Sequence, residues 1–241
     1  MVGIPLGHSG MSICRNNGNP RQFYGASDLI KNSMLKLNVG CVVLASVVLS
    51  GMIFSNAAFA TDIDRMVEPC FSCHGKGGVS SETEVPSIAG YSEDYFSYSL
   101  ELYQKKERPC VEAKYHTGNK IGQKTSMCEI VKGMSESEIE QMSEYFAEQN
   151  FVRSRQTYDV ELAKQGEEIH INKCDECHSK AGSSPEDNAG FLGGQKMDYL
   201  REQLKFVRGG QRFTSKKMRL RLEALGDAEM EAVVHYYGSI Q

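Results

Sequence analysis

The pattern Cys-x-x-Cys-His occurs twice in this chain, as Cys70-Phe71-Ser72-Cys73-His74 and as Cys174-Asp175-Glu176-Cys177-His178, 104 residues apart. Each copy brings two thiols and an imidazole to one short turn, and the fold has to be built around that convergence. This is the attachment sequence of a c-type haem: the thiols add across the two vinyl groups, and the adjacent histidine is placed to ligate the iron from one side. Two other chemistries use similar spacings. A thioredoxin-like redox pair expects a βαβ setting, which the flanking sequence lacks, and leaves the histidine of both copies unexplained. A structural zinc site needs four ligands, and each motif supplies three. The motifs therefore assign Cys70, Cys73, Cys174 and Cys177 to covalent haem attachment and His74 and His178 to the iron.

The similarity extends beyond the motifs. The same 104-residue offset aligns Ile88-Ala89-Gly90 with Leu192-Gly193-Gly194, Asp94-Tyr95-Phe96 with Asp198-Tyr199-Leu200, Leu100 with Leu204 and Arg108 with Arg212. Further on the offset becomes 91, aligning Met127 with Met218, Met134 with Leu225, Glu138 with Glu229, and Tyr145-Phe146 with Tyr236-Tyr237. Two related domains are expected, at 61–150 and 151–241. The change of offset places 13 additional residues in the first, between Pro109 and about Lys124. Cys110 and Cys128 bracket them and are expected to form a disulfide that closes the inserted loop, in keeping with an oxidising compartment.

That compartment is implied by the N-terminal 60 residues. Val39 to Phe54 is the one long apolar run. Lys31 and Lys36 precede it and Ala58-Phe59-Ala60 follows it, the layout of a secretory signal peptide cleaved after Ala60. The run is marginal for a membrane span, which needs about 20 apolar residues. Met34 sits where such a signal would begin, so translation is expected to start there. Removing the leader takes away Arg15, Arg21, Lys31, Lys36 and Asp28, together with Cys14 and Cys41. The mature chain then keeps 23 basic and 30 acidic residues, a net charge of −7 against −4 for the full chain. A net negative charge argues against a broad nucleic-acid-binding surface.

The remaining pattern is helical. Apolar spacing predicts helices over 159–171, 94–105 and 198–207, and Ser135-x-x-Glu138 is a capping box opening another, with Asp227 to Tyr237 as its counterpart. No segment reads as a strand. The fold class expected is all-α; with its two haem motifs the pattern resembles two tandem class I cytochrome c domains, each wrapped around one covalent haem.

An iron held by one histidine needs a sixth ligand, and the soft, neutral methionine thioether is the common electron-transfer choice. Met127 and Met218 are the methionines repeated in both copies after the motif, and they are assigned as axial ligands. Met134 and Met142 align with Leu225 and Val233 and read as core, while Met197 and Met230 align with Glu93 and Ile139. His116, His170 and His235 are not repeated and read as surface or packing residues. With both axial positions filled, electron transfer is favoured over peroxidase-like or gas-binding chemistry. No nucleophile–base pair, phosphate loop or carboxylate dyad is present, so no catalytic residue is assigned. Residues 61–150 carry 9 basic and 16 acidic side chains, whereas 151–241 carry 14 of each. Lys196 to Arg221 contains nine basic residues and two acids, a stretch able to steer an acidic partner or to serve as a solvated helical face.

Over 61–241 the sequence resembles the periplasmic dihaem cytochromes c, and within them the cytochrome subunit of flavocytochrome c sulfide dehydrogenase. The residues that carry the resemblance are Met127-Cys128-Glu129-Ile130-Val131-Lys132-Gly133, Phe151-Val152, Leu192-Gly193-Gly194-Gln195, Tyr199-Leu200 and Lys217-Met218. The resemblance implies a separate FAD-bearing partner subunit that oxidises sulfide and passes electrons to this chain, and a downstream cytochrome or oxidase as acceptor. One departure stands out. Gly190 occupies the position of Pro86, which in class I cytochromes often supplies the carbonyl that orients the proximal histidine. The competing expectations are a free dihaem electron shuttle to a terminal oxidase, and a dihaem enzyme such as a peroxidase or thiosulfate dehydrogenase, against which the repeated methionines speak.

Overall fold

The computed structural model describes residues 62–241, which belong to one compact unit. The expected leader, with its start at Met34 and cleavage after Ala60, lies outside the described residues. No described helix is long and apolar enough to cross a membrane.

Helix α1 (Asp62–His74) carries the first motif in its last turns. It stops at Gly75, whose backbone lies at φ 74° and whose Cβ would stand 2.0 Å from the Val79 carbonyl oxygen, so only glycine fits this turn. Helix α2 (Glu93–Gln104) is capped by Ser92, whose hydroxyl accepts from the Tyr95 N–H, and buries Phe96, Leu100 and Leu102. The inserted loop holds a two-residue antiparallel ladder, β1 (Ala113–Lys114) with β2 (Lys124–Thr125), pairing Ala113 with Thr125. The sequence reading had no strand here, because two residues per strand are too few to show an alternating pattern. A short helix α3 (Met127–Val131) begins directly after its Ser126 cap. The capping box at Ser135 and Glu138 opens α4 (Glu136–Ala147), and Phe146 of α4 stacks on Phe96 of α2 at 5.1 Å between ring centroids.

The second half repeats this order. Helix α5 (Val160–Lys173) is capped by Asp159, α6 is Met197–Arg208, α7 is Lys216–Glu223 and α8 is Asp227–Ser239. Helix α6 begins and ends 104 residues after α2, and α8 begins 91 residues after α4, the two offsets of the sequence repeat. One difference is local: α5 ends before the second motif, so Cys174 to His178 forms a turn rather than the last turns of a helix. The α5–α8 crossing is close. A Cβ on Gly166 would meet the Ala232 carbonyl oxygen at 2.1 Å.

The halves meet through residues that the repeat places in equivalent positions. Arg108 donates to the Tyr199 hydroxyl, and the equivalent Arg212 donates to the equivalent Tyr95, both at 3.1 Å. Gln203 accepts from both guanidinium groups, at 3.4 and 3.0 Å. Beside them Gln195, fully buried, donates to the Tyr91 hydroxyl at 3.0 Å and exchanges two hydrogen bonds with the Ser87 backbone. Phe191 of the second half packs on Tyr91 of the first at 5.3 Å and on Phe151 at 4.6 Å. The two halves thus present nearly the same surface to each other about an approximate two-fold axis, the way an isologous dimer does.

Candidate functional site

Each Cys-x-x-Cys-His motif opens onto a cavity that also contains one of the repeated methionines. In the second half the cavity measures about 530 Å³, and Cys174, Cys177, His178 and Met218 share its wall with Leu200, Leu204, Val207 and Tyr237. That is within the usual range for an enclosed small-molecule or cofactor site. In the first half Cys70, Cys73, His74 and Met127 line a narrower cavity of about 80 Å³, with Ile88, Phe96, Leu100 and Val131. Tyr91, Tyr95, Ser99 and Tyr199 border both, so a shared aromatic wall separates the two sites.

None of the four motif cysteines is in a disulfide. Burial pushes the Cys70 thiol up to about 11 and raises Cys73 and Cys174 as well. Burial lowers both motif histidines, keeping the imidazoles neutral and able to ligate through a ring nitrogen. His74 Nδ1 lies 2.9 Å from the Pro86 carbonyl oxygen, which leaves Nε2 as the ligating nitrogen. His178 differs: its Nδ1 is buried and has no hydrogen-bond partner among the described residues. The position equivalent to Pro86 is Gly190, where a Cβ would lie 2.4 Å from the Tyr95 hydroxyl.

Local structure also brings the methionines to their cavities. Ser126 and Ser215 cap α3 and α7, the Ser215 hydroxyl accepting from the Met218 N–H at 3.1 Å. Glu176, inside the second motif, pairs with Lys217 and Arg221 of α7, tying the motif to the helix that carries Met218. Met134 and Met142 also border the first cavity and Met230 the second, but Met142 and Met230 are core side chains, 1% and 4% exposed. The unrepeated histidines are engaged elsewhere. His170 Nδ1 lies 3.0 Å from the Tyr237 hydroxyl and its Nε2 3.3 Å from Asp175. His235 accepts from the Asp159 N–H, and His116 faces Glu82.

Cys110 and Cys128 are joined by a disulfide. The loop it closes lies back over the first motif: the His116 N–H donates to the Ser72 carbonyl at 2.9 Å, and the Cys73 thiol approaches the Lys114 carbonyl at 3.5 Å.

Sequence reasoning missed the two arginines. Arg108 is 3% exposed, its Nε has no partner, and it pairs with no carboxylate among the described residues. It stands over the Tyr103 ring at 4.6 Å and lines the first cavity, as Arg212 lines the second. A buried guanidinium without an anion is costly, and the carboxylates of a haem would supply one at each site. The signal was present in the repeat, which aligns both Arg108 with Arg212 and Tyr95 with Tyr199. The basic run of 196–221 is largely neutralised within the fold: Arg201, Arg208, Lys217, Arg219 and Arg221 all form ion pairs. A solvated, internally paired face describes it better than a free steering patch.

No protein-family model and no curated protein matches the chain. Among solved structures it is similar to reduced cytochrome c4 from Pseudomonas stutzeri, with a TM-score of 0.59 and 26% identity, covering 76% of this chain and 100% of that one. Cytochrome c4 from Acidithiobacillus ferrooxidans gives a TM-score of 0.55 at 23% identity, covering 71% of this chain and 99% of that one. Thiosulfate dehydrogenase (TsdBA) from Marichromatium purpuratum gives a TM-score of 0.55 at 20% identity, covering 70% of this chain and 36% of that one, a likeness of fold. The fold is all-α, that of tandem class I cytochrome c domains, and the likeness to cytochrome c4 supports a dihaem electron-transfer cytochrome with covalently bound haem c.

Proposed function

We propose that this chain is an exported, periplasmic dihaem cytochrome that serves as the haem subunit of an FAD-containing sulfide dehydrogenase. Cys70 and Cys73 hold one haem and Cys174 and Cys177 the other, with His74 and Met127, and His178 and Met218, as the axial pairs. The observation that carries the haem assignment is the second cavity, where two thiols, a neutral imidazole and a thioether converge on one apolar volume of about 530 Å³. The donor set fits at both sites, while the first cavity has to widen to hold the same group. When bound, each haem supplies an iron that gains and loses one electron. The protein's part is to fix four ligating or attaching atoms, exclude water with apolar walls, and set an arginine at each site for the haem carboxylates, Arg108 buried and Arg212 half-buried. A dry, preorganised surrounding means little rearrangement when charge arrives.

The partner assignment rests on the sequence resemblance, and the inserted loop supports it. The disulfide holds a hairpin over the edge of the first motif and displays Val111 and Ile121, 41% and 66% exposed, as added apolar contact surface. A free shuttle delivering electrons to a terminal oxidase is the second reading, favoured by the likeness to a cytochrome c4 over that protein's whole length.

Co-purification from the native cell separates the two. A co-eluting flavoprotein and sulfide-dependent reduction of the cytochrome are expected; a lone cytochrome that sulfide does not reduce through any partner overturns the sulfide dehydrogenase reading. For the ligands, Met218→Ala is expected to halve the weak thioether-to-iron absorption band of the oxidised protein, and an unchanged band refutes the assignment.

A further inference from the structure

Tyr95 belongs to the first half, yet its hydroxyl stands in contact with Gly190 beside the second motif. A Cβ at residue 190 would lie 2.4 Å from that hydroxyl and 2.6 Å from the ring carbon that bears it. No proline ring fits while Tyr95 is there, and Tyr95 is firmly placed. Arg212 donates to its hydroxyl at 3.1 Å, and its ring meets Tyr91 edge-on at 5.0 Å. Tyr91 is in turn held by buried Gln195. The corresponding place in the first half is filled by Pro86, whose carbonyl lies 2.9 Å from His74 Nδ1. His178 Nδ1 has no such acceptor among the described residues, although the atom is buried.

We propose that Tyr95 is a positioning residue for the second site: by excluding a proline ring at residue 190, it holds the chain there in a course that brings no backbone carbonyl to His178 Nδ1, and so gives that site the higher reduction potential. This rests on the dihaem reading above. An imidazole that donates Nδ1–H to a carbonyl is a stronger base at its other nitrogen, and a more basic ligand favours the oxidised metal. The acceptor at His74 therefore lowers the first site, and its absence at His178 leaves the second site higher. The arginines do not reverse this, because Arg108 and Arg212 place one cation at each cavity. The excess of acidic side chains in the first half acts in the same direction, since negative charge also favours an oxidised iron.

The test uses the holoprotein. Haem content is measured first by the pyridine haemochrome assay; fewer than two haems per chain overturns the underlying reading rather than this inference. With two haems present, a potentiometric titration is expected to resolve two waves. Met218→His, which exchanges a thioether for a more basic ligand at the second site, is expected to shift the higher wave downward and leave the lower one in place. A shift of the lower wave, or two coincident waves in the unmodified protein, overturns the inference. The double variant Tyr95→Ala with Gly190→Pro is expected to narrow the gap between the waves by lowering the upper one. Its proton NMR spectrum reports the mechanism separately, because a new hydrogen-bonded Nδ1–H resonance from His178 is expected beside that of His74. A gap unchanged in a double variant that shows this new resonance refutes the role of Tyr95.

Discussion

Arg108 of the first half donates to the hydroxyl of Tyr199 in the second at 3.1 Å, and it does so as a buried cation with no carboxylate partner among the described residues. Its removal leaves the Tyr199 hydroxyl short of a donor at the junction of the halves. Arg108→Met keeps most of the apolar stem and is expected to cost about 1.5–3 kcal/mol, the range for hydrogen bonds to charged groups. Arg108→Lys keeps the charge but loses the planar fork, so it is expected to recover only part of the loss. Denaturant unfolding of the holoprotein, comparing midpoints at constant slope, is the check.

Glu176 makes the second site sensitive to acid. Lys217 foremost, and Arg221 with it, hold the Glu176 carboxyl below its ordinary value of 4.5. A carboxyl lowered in the folded state contributes its tie fully above the ordinary value and loses it as pH falls through the lowered one. That tie links the motif to α7, which carries Met218. In a Met127→Ala background, where the thioether band reports Met218 alone, the band is expected to fade as pH falls below the ordinary carboxyl value of 4.5. Adding Glu176→Gln is expected to weaken the band at neutral pH and to flatten this acid limb.

The disulfide between Cys110 and Cys128 closes a loop whose hairpin lies over the first motif. In the double variant Cys110→Ser with Cys128→Ser the unfolded chain regains the freedom of that loop, a loss of roughly 3 kcal/mol. Thermal unfolding measures it. Limited proteolysis is expected to cut the variant first between residues 111 and 127, while the second half stays intact.

Much of this could be read from residue types alone because it is local. The motifs, the capping box at Ser135 and the extents of α2 and α6 follow from spacings of a few residues and from the repeat. What escaped the sequence reading depends on contacts between residues roughly a hundred positions apart. Tyr95 against Gly190 leaves no periodic signal in either segment, and Gly190 showed only as a departure from the first copy. The ladder of β1 and β2 is too short for a pattern, and α3 and α7 are too short for amphipathic spacing to separate them from loops. Gly166 looks like an unfavourable residue in a helix interior until the partner helix is known.

That glycine makes a sharp prediction, because propensity and packing disagree. By helix propensity alone Gly166→Ala is stabilising by roughly 0.5–1 kcal/mol. The structure places the added Cβ 2.1 Å from the Ala232 carbonyl oxygen and 2.7 Å from the Tyr236 Cβ, both on α8. Neither is the end of a flexible side chain, so α5 and α8 have to move apart. Overpacking of this kind costs about 1–3 kcal/mol, which outweighs the propensity gain, and net destabilisation is expected. The strain should also reach the second site, since Tyr237 of α8 lines its cavity and Cys174 follows directly on α5. Unfolding midpoints give the sign: an unchanged or raised midpoint for Gly166→Ala means that the two helices do not cross as closely as described.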